Sequence, residues 1–224
     1  MKILAVETST EYCSVALWQD GTVSDRCELV GQKHSELLMA MVDELLKANS
    51  ISIAQLDGIA FGKGPGSFTG VRIACGVAQG LALGANLNVV GVCTLQALAQ
   101  ASGRSKVIAA LDARMGEIYL AAYEKIAGEW CTLIEPCLCK IEHAPELTNE
   151  GWFGAGSGFT VSDAALSARY ARQLSSAVDA RAVPLASAIA QLAAIDFAKG
   201  NAVDAALALP LYLRDKVALK TSER

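Results

Sequence analysis

Ile3-Leu4-Ala5-Val6-Glu7 and Ile108-Ala109-Ala110-Leu111-Asp112 decide the fold. Each is an apolar run of four residues closed by a carboxylate. Continued without a gap, Cys13–Trp18 falls over Ile118–Tyr123. Both stretches read as strand, acidic strand end, tight turn, strand. The offset from Ile3 to Ile108 is 105 residues, close to half of the 224-residue chain. Self-similarity at that period predicts two lobes on one plan.

Working outward, Gly21-Thr22 turns the chain into a third strand over Ser24–Val30, which completes an antiparallel meander. His34-Ser35-Glu36 opens a helix over Ser35–Ala48, with apolar residues at three- and four-residue spacing and Asn49 at its end. A strand at Leu56–Phe61, a Gly-rich loop from Gly62 to Gly70, a helix over Val71–Leu83, a strand at Val89–Val92 and a helix over Thr94–Ala101 follow. The order is βββαβαβα. After a strand at Cys131–Lys140 the second half is less regular. It holds Trp152-Phe153, the glycines of 154–158, a helix from Ser162 to Arg172 and a linker over 173–183. Pro184 starts a last helix that Gly200 ends, with Leu185, Ile189, Leu192 and Phe197 on its apolar face. The expected architecture is α/β: a first lobe over 1–104, divided from the second at Ser102-Gly103-Arg104, and a reduced second lobe over 105–224. The last helix, about 184–199, is expected to pack back on the first lobe.

Hydrophobic residues make up 53% and charged residues 19%, enough to bury a full core, which excludes disorder. The net charge of −4 supplies no global basic surface for nucleic acid. Arg169, Arg172, Arg181 and the tail with Arg214, Lys216, Lys220 and Arg224 read as solvated charge. Seven cysteines without a C-x-x-C indicate a reducing compartment, and Cys137 and Cys139 share one strand face with too few ligands for a metal. Neither a signal segment nor about 20 consecutive apolar residues is found, so the expected location is the cytoplasm, without membrane contact.

Four motifs carry the functional question. Glu7-Thr8-Ser9-Thr10 places a carboxylate and hydroxyls at a strand end, where oxygen ligands suit Mg²⁺ and phosphate; the same hydroxyls also serve turn amides. Gly64-Pro65-Gly66-Ser67-Phe68-Thr69-Gly70-Val71-Arg72 lacks the P-loop Gly-Lys-Ser/Thr. It reads as a turn with positive φ at Gly66 and a helix capped by Thr69, whose N-terminus is either an anion site or an ordinary entry. Gly76, Gly80 and Gly84 lie four apart, as do Ala74, Ala78 and Ala82. Interior glycine costs about 1 kcal/mol against alanine, so close approach of another backbone is expected, from within the chain or from a partner. The helix at 35–48 is apolar over more than one face, as expected of an oligomer or partner interface. His34 and His143 belong to no ligand set, and no Ser-His-Asp arrangement is visible.

Taken with His34-Ser35-Glu36, Asp112-Ala113-Arg114, Glu117-Ile118-Tyr119 and Pro210-Leu211-Tyr212-Leu213-Arg214, these motifs resemble the TsaB (YeaZ) family of bacterial tRNA threonylcarbamoyladenosine biosynthesis. The resemblance runs from Met1 to about Arg214. It implies a two-lobed actin-like ATPase fold, each lobe built on a ribonuclease-H-like core with a mixed sheet and flanking helices.

The resemblance also implies a non-catalytic scaffold that activates a TsaD-type threonylcarbamoyltransferase acting beside the anticodon of ANN-decoding tRNAs. The partners implied are that paralogue as a heterodimer, a TsaE-type ATPase, a homodimer when alone, and tRNA only indirectly. The pairing surface it implies lies on the helices 35–48 and 71–83, here Leu38, Met41, Val42, Leu45, Ala74, Val77, Gly80 and Leu81. The metal-binding His-x-x-x-His of the catalytic paralogue falls over Cys93-Thr94-Leu95-Gln96-Ala97, where Ala97 cannot be a ligand. Glu7 stands where many actin-like ATPases have Asp, and Asp112 is not followed by the glycine of a second phosphate loop. Glu7, Thr8, Ser9, Ser67, Thr69 and Asp112 are therefore expected to form a vestigial nucleotide site, without an intrinsic cofactor or metal. ATP or ADP with Mg²⁺ is left to partner subunits. The rival expectations are an ATP-dependent phosphotransferase using Glu7 and Asp112, and a peptidase acting on the paralogue.

Overall fold

A computed structural model describes residues 1–214. The chain opens with β1 (Lys2–Glu7), β2 (Tyr12–Gln19) and β3 (Thr22–Leu29), then α1 (His34–Ala48), β4 (Gly58–Gly64), α2 (Phe68–Ala85), β5 (Asn88–Cys93) and α3 (Thr94–Ala101). The second half comprises β6 (Lys106–Arg114), β7 (Glu117–Ile126), β8 (Glu129–Lys140), β9 (Trp152–Ala155), α4 (Ala165–Arg169), β10 (Leu174–Asp179), α5 (Ala186–Ala198) and β11 (Val203–Asp204).

The predicted order βββαβαβα stands. Both sheets follow one plan. The first runs β11-β5-β4-β1-β2-β3 and the second β10-β9-β6-β7-β8. In each, the first strand of the meander pairs antiparallel with the second and parallel with a later strand. The repeat is thus real in topology, but its register is not gapless. Ile3 pairs with Trp18, whereas Ile108 pairs with Ala122. Six residues separate the paired Glu7 and Ser14 and five separate Asp112 and Ile118, so the second turn is one residue shorter.

Alternation along the central strands divides the core. Leu4 and Val6 face α1 and α2, while Ile3 and Ala5 face α5. Both faces of β1 are covered, which is why its sequence is a continuous apolar run. The helices that follow β5 and β10 are exchanged between the sheets. Leu95, Leu98 and Ala99 of α3 pack on Val107, Ala109 and Leu111 of the second sheet. Ala186, Ile189 and Ala193 of α5 pack on Ala5, Ala16 and Ala60 of the first. Gln100 donates to Gln191 between the two helices at 2.7 Å. The layers are therefore α1 and α2, first sheet, α5 with α3, second sheet, and the short elements around α4.

The second lobe is reduced at two places. Among the described residues no α-helix in it corresponds to α1, and α4 has five residues where α2 has 18. The helix expected from Ser162 starts only at Ala165, because Ser162, Asp163 and Ala164 all take left-handed φ (51, 51 and 63°). The expected linker over 173–183 contains β10, whose parallel pairing with β9 is a long-range event that local pattern does not show. The positive φ in the Gly-rich loop belongs to Gly64 (+100°), not Gly66. The N-cap of α2 is Ser67, whose Oγ accepts from Gly70 N, not Thr69.

The helix stripes are corrected as well. Leu38, Met41, Val42 and Leu45 of α1 and Ala74 of α2 are buried in the chain's own first core, and Val77 and Leu81 pack half-buried against it. Leu38, Met41, Val42, Leu45 and Ala74 are covered by the chain's own sheet and are not open to a partner, while Val77 and Leu81 stay partly exposed. Three- and four-residue spacing marks an apolar face without saying what covers it, and here the sheet does. The apolar and small residues exposed along α1 and α2 include Met39, Ala40, Gly76, Gly80, Leu83 and Gly84, beside the charged Glu36, Asp43, Glu44, Lys47 and Arg72. A Cβ at any of those three glycines would meet nothing within 4 Å. By length and composition α2 also passes for a membrane span. Its Ala74, Ala78 and Ala82 instead cover the first sheet.

Candidate functional site

The two lobes enclose a cleft of 1060 Å³. Its walls are the turn after β1, the loop 64–70 that leads into α2, and the turn between β6 and β7. Ser9, Ser67, Thr69 and Asp112, four of the six residues read as a nucleotide site, line it. Glu7 and Thr8 lie behind it, 1% and 0% exposed.

Glu7 occupies the end of β1 beneath Gly62, where a Cβ would stand 1.7 Å from its Oε2. Its Oε1 accepts from Ser9 N, while Oε2 is buried without a hydrogen-bond partner, as is Ser9 Oγ. Burial pushes the Glu7 carboxyl up from 4.5 to about 7, against a smaller downward pull from Ser9 and Thr8.

The loop 64–70 packs directly on the turn that would cradle a phosphate. Ser67 N donates to Ser9 O at 2.8 Å and Thr8 Oγ1 donates to Gly70 O at 2.7 Å. Both glycines are required by this approach: a Cβ at Gly66 would lie 2.6 Å from Ser9 O, and one at Gly70 1.9 Å from Thr8 O. Across the cleft, the Asp112 carboxylate caps its own turn, accepting from Arg114 N at 2.7 Å and Arg114 Nη1 at 3.1 Å. Arg114, Met115 and Gly116 carry this turn through three left-handed φ values. Among the groups expected to hold phosphate and Mg²⁺, Glu7 Oε1 is engaged by Ser9 N, Thr8 and Ser67 by Gly70, and Asp112 by Arg114, while Glu7 Oε2 and Ser9 Oγ have no hydrogen-bond partner. No group of three His, Cys, Asp or Glu placed to bind a metal occurs among the described residues. Cys93 accepts from Tyr123 Oη at 3.6 Å, and Ala97 is wholly buried.

Several residues around the cleft are not among those expected to form the site. His34 bonds through Nε2 to Tyr12 O at 3.2 Å. Ser157 Oγ accepts from Asp112 N at 3.1 Å. Arg72 lies 3.6 Å from the Phe68 ring and donates from Nε to Tyr212 Oη at 2.7 Å. Arg214 pairs with Glu117 at 2.6 Å. Tyr212 and Arg214 stand inside the Pro210–Arg214 motif, whose placement only the closed fold reveals.

Two sheets of common strand order around an interlobe cleft define the actin-like ATPase class of fold. A family model described as "TsaD: tRNA N6-adenosine threonylcarbamoyltransferase" matches residues 26–219. The chain is 39% identical to the tRNA threonylcarbamoyladenosine biosynthesis protein TsaB of Escherichia coli, over 98% of this chain and 97% of that protein. It is 36% identical to the TsaB of Haemophilus influenzae, over 98% and 96%. The solved structure of YeaZ from Pseudomonas aeruginosa superposes with a TM-score of 0.85 at 38% identity, covering 95% of this chain and 99% of that one. The chain belongs to the TsaB (YeaZ) family and takes part in tRNA threonylcarbamoyladenosine biosynthesis.

Proposed function

We propose that the chain is a non-catalytic cytoplasmic subunit that binds and activates a TsaD-type threonylcarbamoyltransferase during modification beside the anticodon of ANN-decoding tRNAs. The observation that carries this reading is the exposed glycine face of α2. Gly76 and Gly80 lie within the helix, and each costs about 1 kcal/mol against alanine. Among the described residues nothing would lie within 4 Å of a Cβ at either of them. A helix backbone from another chain is the contact that such a face admits. The surface is then Gly76, Gly80, Leu83 and Gly84 with Met39 and Ala40, in place of the buried residues read from the sequence. The activating effect is thermodynamic: the partner's competent state is favoured by its higher affinity for this surface. The partner is the paralogue, a TsaE-type ATPase joins the pair, and a homodimer through the same face forms when the chain is alone. Nucleotide and tRNA are held by the partners.

Against an ATP-dependent phosphotransferase stands the Asp112 carboxylate, which is engaged by Arg114 of its own turn. For a peptidase, Ser67 Oγ is engaged by Gly70 N, and His34 in the same cleft is bonded to Tyr12 O. The test is the mass in solution of the chain mixed with a TsaD-type paralogue, beside Gly80→Arg and Gly80→Ala. Gly80→Arg folds and fails to form the heterodimer, while Gly80→Ala raises the melting midpoint. A heterodimer that survives Gly80→Arg overturns the assignment of this face.

A further inference from the structure

Cys137 and Cys139 stand two residues apart on β8, the edge strand of the second sheet. They pair with Leu120 and Ile118 of β7 and share the face that packs on the second-lobe core, while Leu138 between them packs on the opposite side. Both are half-buried, so a small molecule reaches them from solvent. As a thiol, Cys137 donates to Leu120 O at 3.5 Å. The two sulfurs also hydrogen-bond each other, and the Cys139 thiol pulls the Cys137 thiol down to about 7, against burial that pushes it up. The remaining cysteines are not placed in this way. Cys13 and Cys75 are buried, and burial pushes their thiols up, that of Cys13 to about 12.

The backbone allows the two sulfurs to join. Residues two apart on an extended strand have Cα atoms about 6.6 Å apart, and disulfides span up to about 6.8 Å. A bridge here is therefore near its upper limit, and a stretched bridge is readily reduced. The β7–β8 pairing also shifts beside Cys137: Leu120 to Ala122 covers two steps on β7, and Cys137 to Ile134 covers three on β8. Such a bulge on an edge strand lets the chain bend toward ring closure.

We propose that Cys137 and Cys139 form a redox-active dithiol that small disulfides of the glutathione class oxidise to a reversible Cys137–Cys139 bridge. The Cys137 thiolate attacks one sulfur of the small disulfide, forms a mixed disulfide and releases one thiolate. Cys139 then gives up its proton, and its sulfur displaces the second thiolate from Cys137. The chain loses two electrons and two protons, and the small disulfide leaves as two thiols. In a reducing compartment the pair rests as thiols, and excess small thiol reopens the bridge by the reverse steps.

The full chain is incubated with excess glutathione disulfide, denatured, blocked with N-ethylmaleimide and mapped by peptide mass spectrometry. Two fewer of the seven cysteines take label than in the chain kept in glutathione, and the missing two are Cys137 and Cys139, joined to each other. Returning the sample to excess glutathione restores both labels. In Cys139→Ser the glutathione adduct stays on Cys137, since no second thiol displaces it. Full labelling of all seven overturns the proposal, as does a bridge from either residue to Cys131 or a stable adduct on Cys137 in the native chain. An adduct that builds up on Cys139 in Cys137→Ser as fast as on Cys137 in Cys139→Ser overturns the role of Cys137 as the attacking group. Mapping of the native chain decides the bridge itself even where a variant does not fold.

Discussion

Replacing Glu7 by Gln removes a charge that the fold buries at a cost, and the cost follows from the structure. The carboxyl titrates at about 7 in the folded chain against 4.5 for an ordinary glutamate. A folded-state pKa above the unfolded one means that the native protein holds its proton more tightly. The stability this contributes is fully present below pH 4.5 and is lost as the pH rises through 7. At about 1.4 kcal/mol per pH unit, the gap amounts to roughly 3 kcal/mol by pH 8. Gln resembles the protonated carboxyl in shape and cannot ionise. Glu7→Gln is therefore nearly neutral at pH 4.5 and stabilises by about 3 kcal/mol at pH 8, or on the order of 6–12 °C in a chain of this size. Urea melts followed by circular dichroism at both pH values, on native and variant protein, measure the difference. Other carboxylates titrate alike in both and cancel. A variant equally displaced from the native protein at both pH values, or less stable at pH 8, would refute the reasoning.

Two further outcomes test the packing. Gly70→Ala sets a Cβ 1.9 Å from the Thr8 carbonyl, backbone against backbone with no flexible atom to yield, so a loss of about 2–3 kcal/mol in urea melts is expected. Leu38→Ala costs about 2–5 kcal/mol, as fits a wholly buried side chain, while Leu83→Ala, at 63% exposure, changes the stability of the lone chain by less than about 0.5 kcal/mol. If Leu38→Ala left stability intact but broke a complex, the core assignment of α1 would be wrong.

The sequence by itself determined the class of the fold. Local periodicity fixes strands and helices one at a time, and the recurrence of Ile3–Glu7 at Ile108–Asp112 doubles the unit. It also marked the Gly64–Gly70 loop, though not that Gly66 and Gly70 are held there by close approach of Ser9 and Thr8. Tertiary structure alone decided the rest. The one-residue slip between the two meanders, the parallel pairing of β9 with β10 and the exchange of α3 and α5 between the sheets all depend on contacts between residues distant in the chain. The same is true of burial. Leu38 and Gly80 sit on equally plausible helix faces in the sequence, yet the sheet covers the first and leaves the second bare. An amphipathic pattern states that a face must be covered, and only the closed fold decides whether the cover is the chain's own sheet or another molecule.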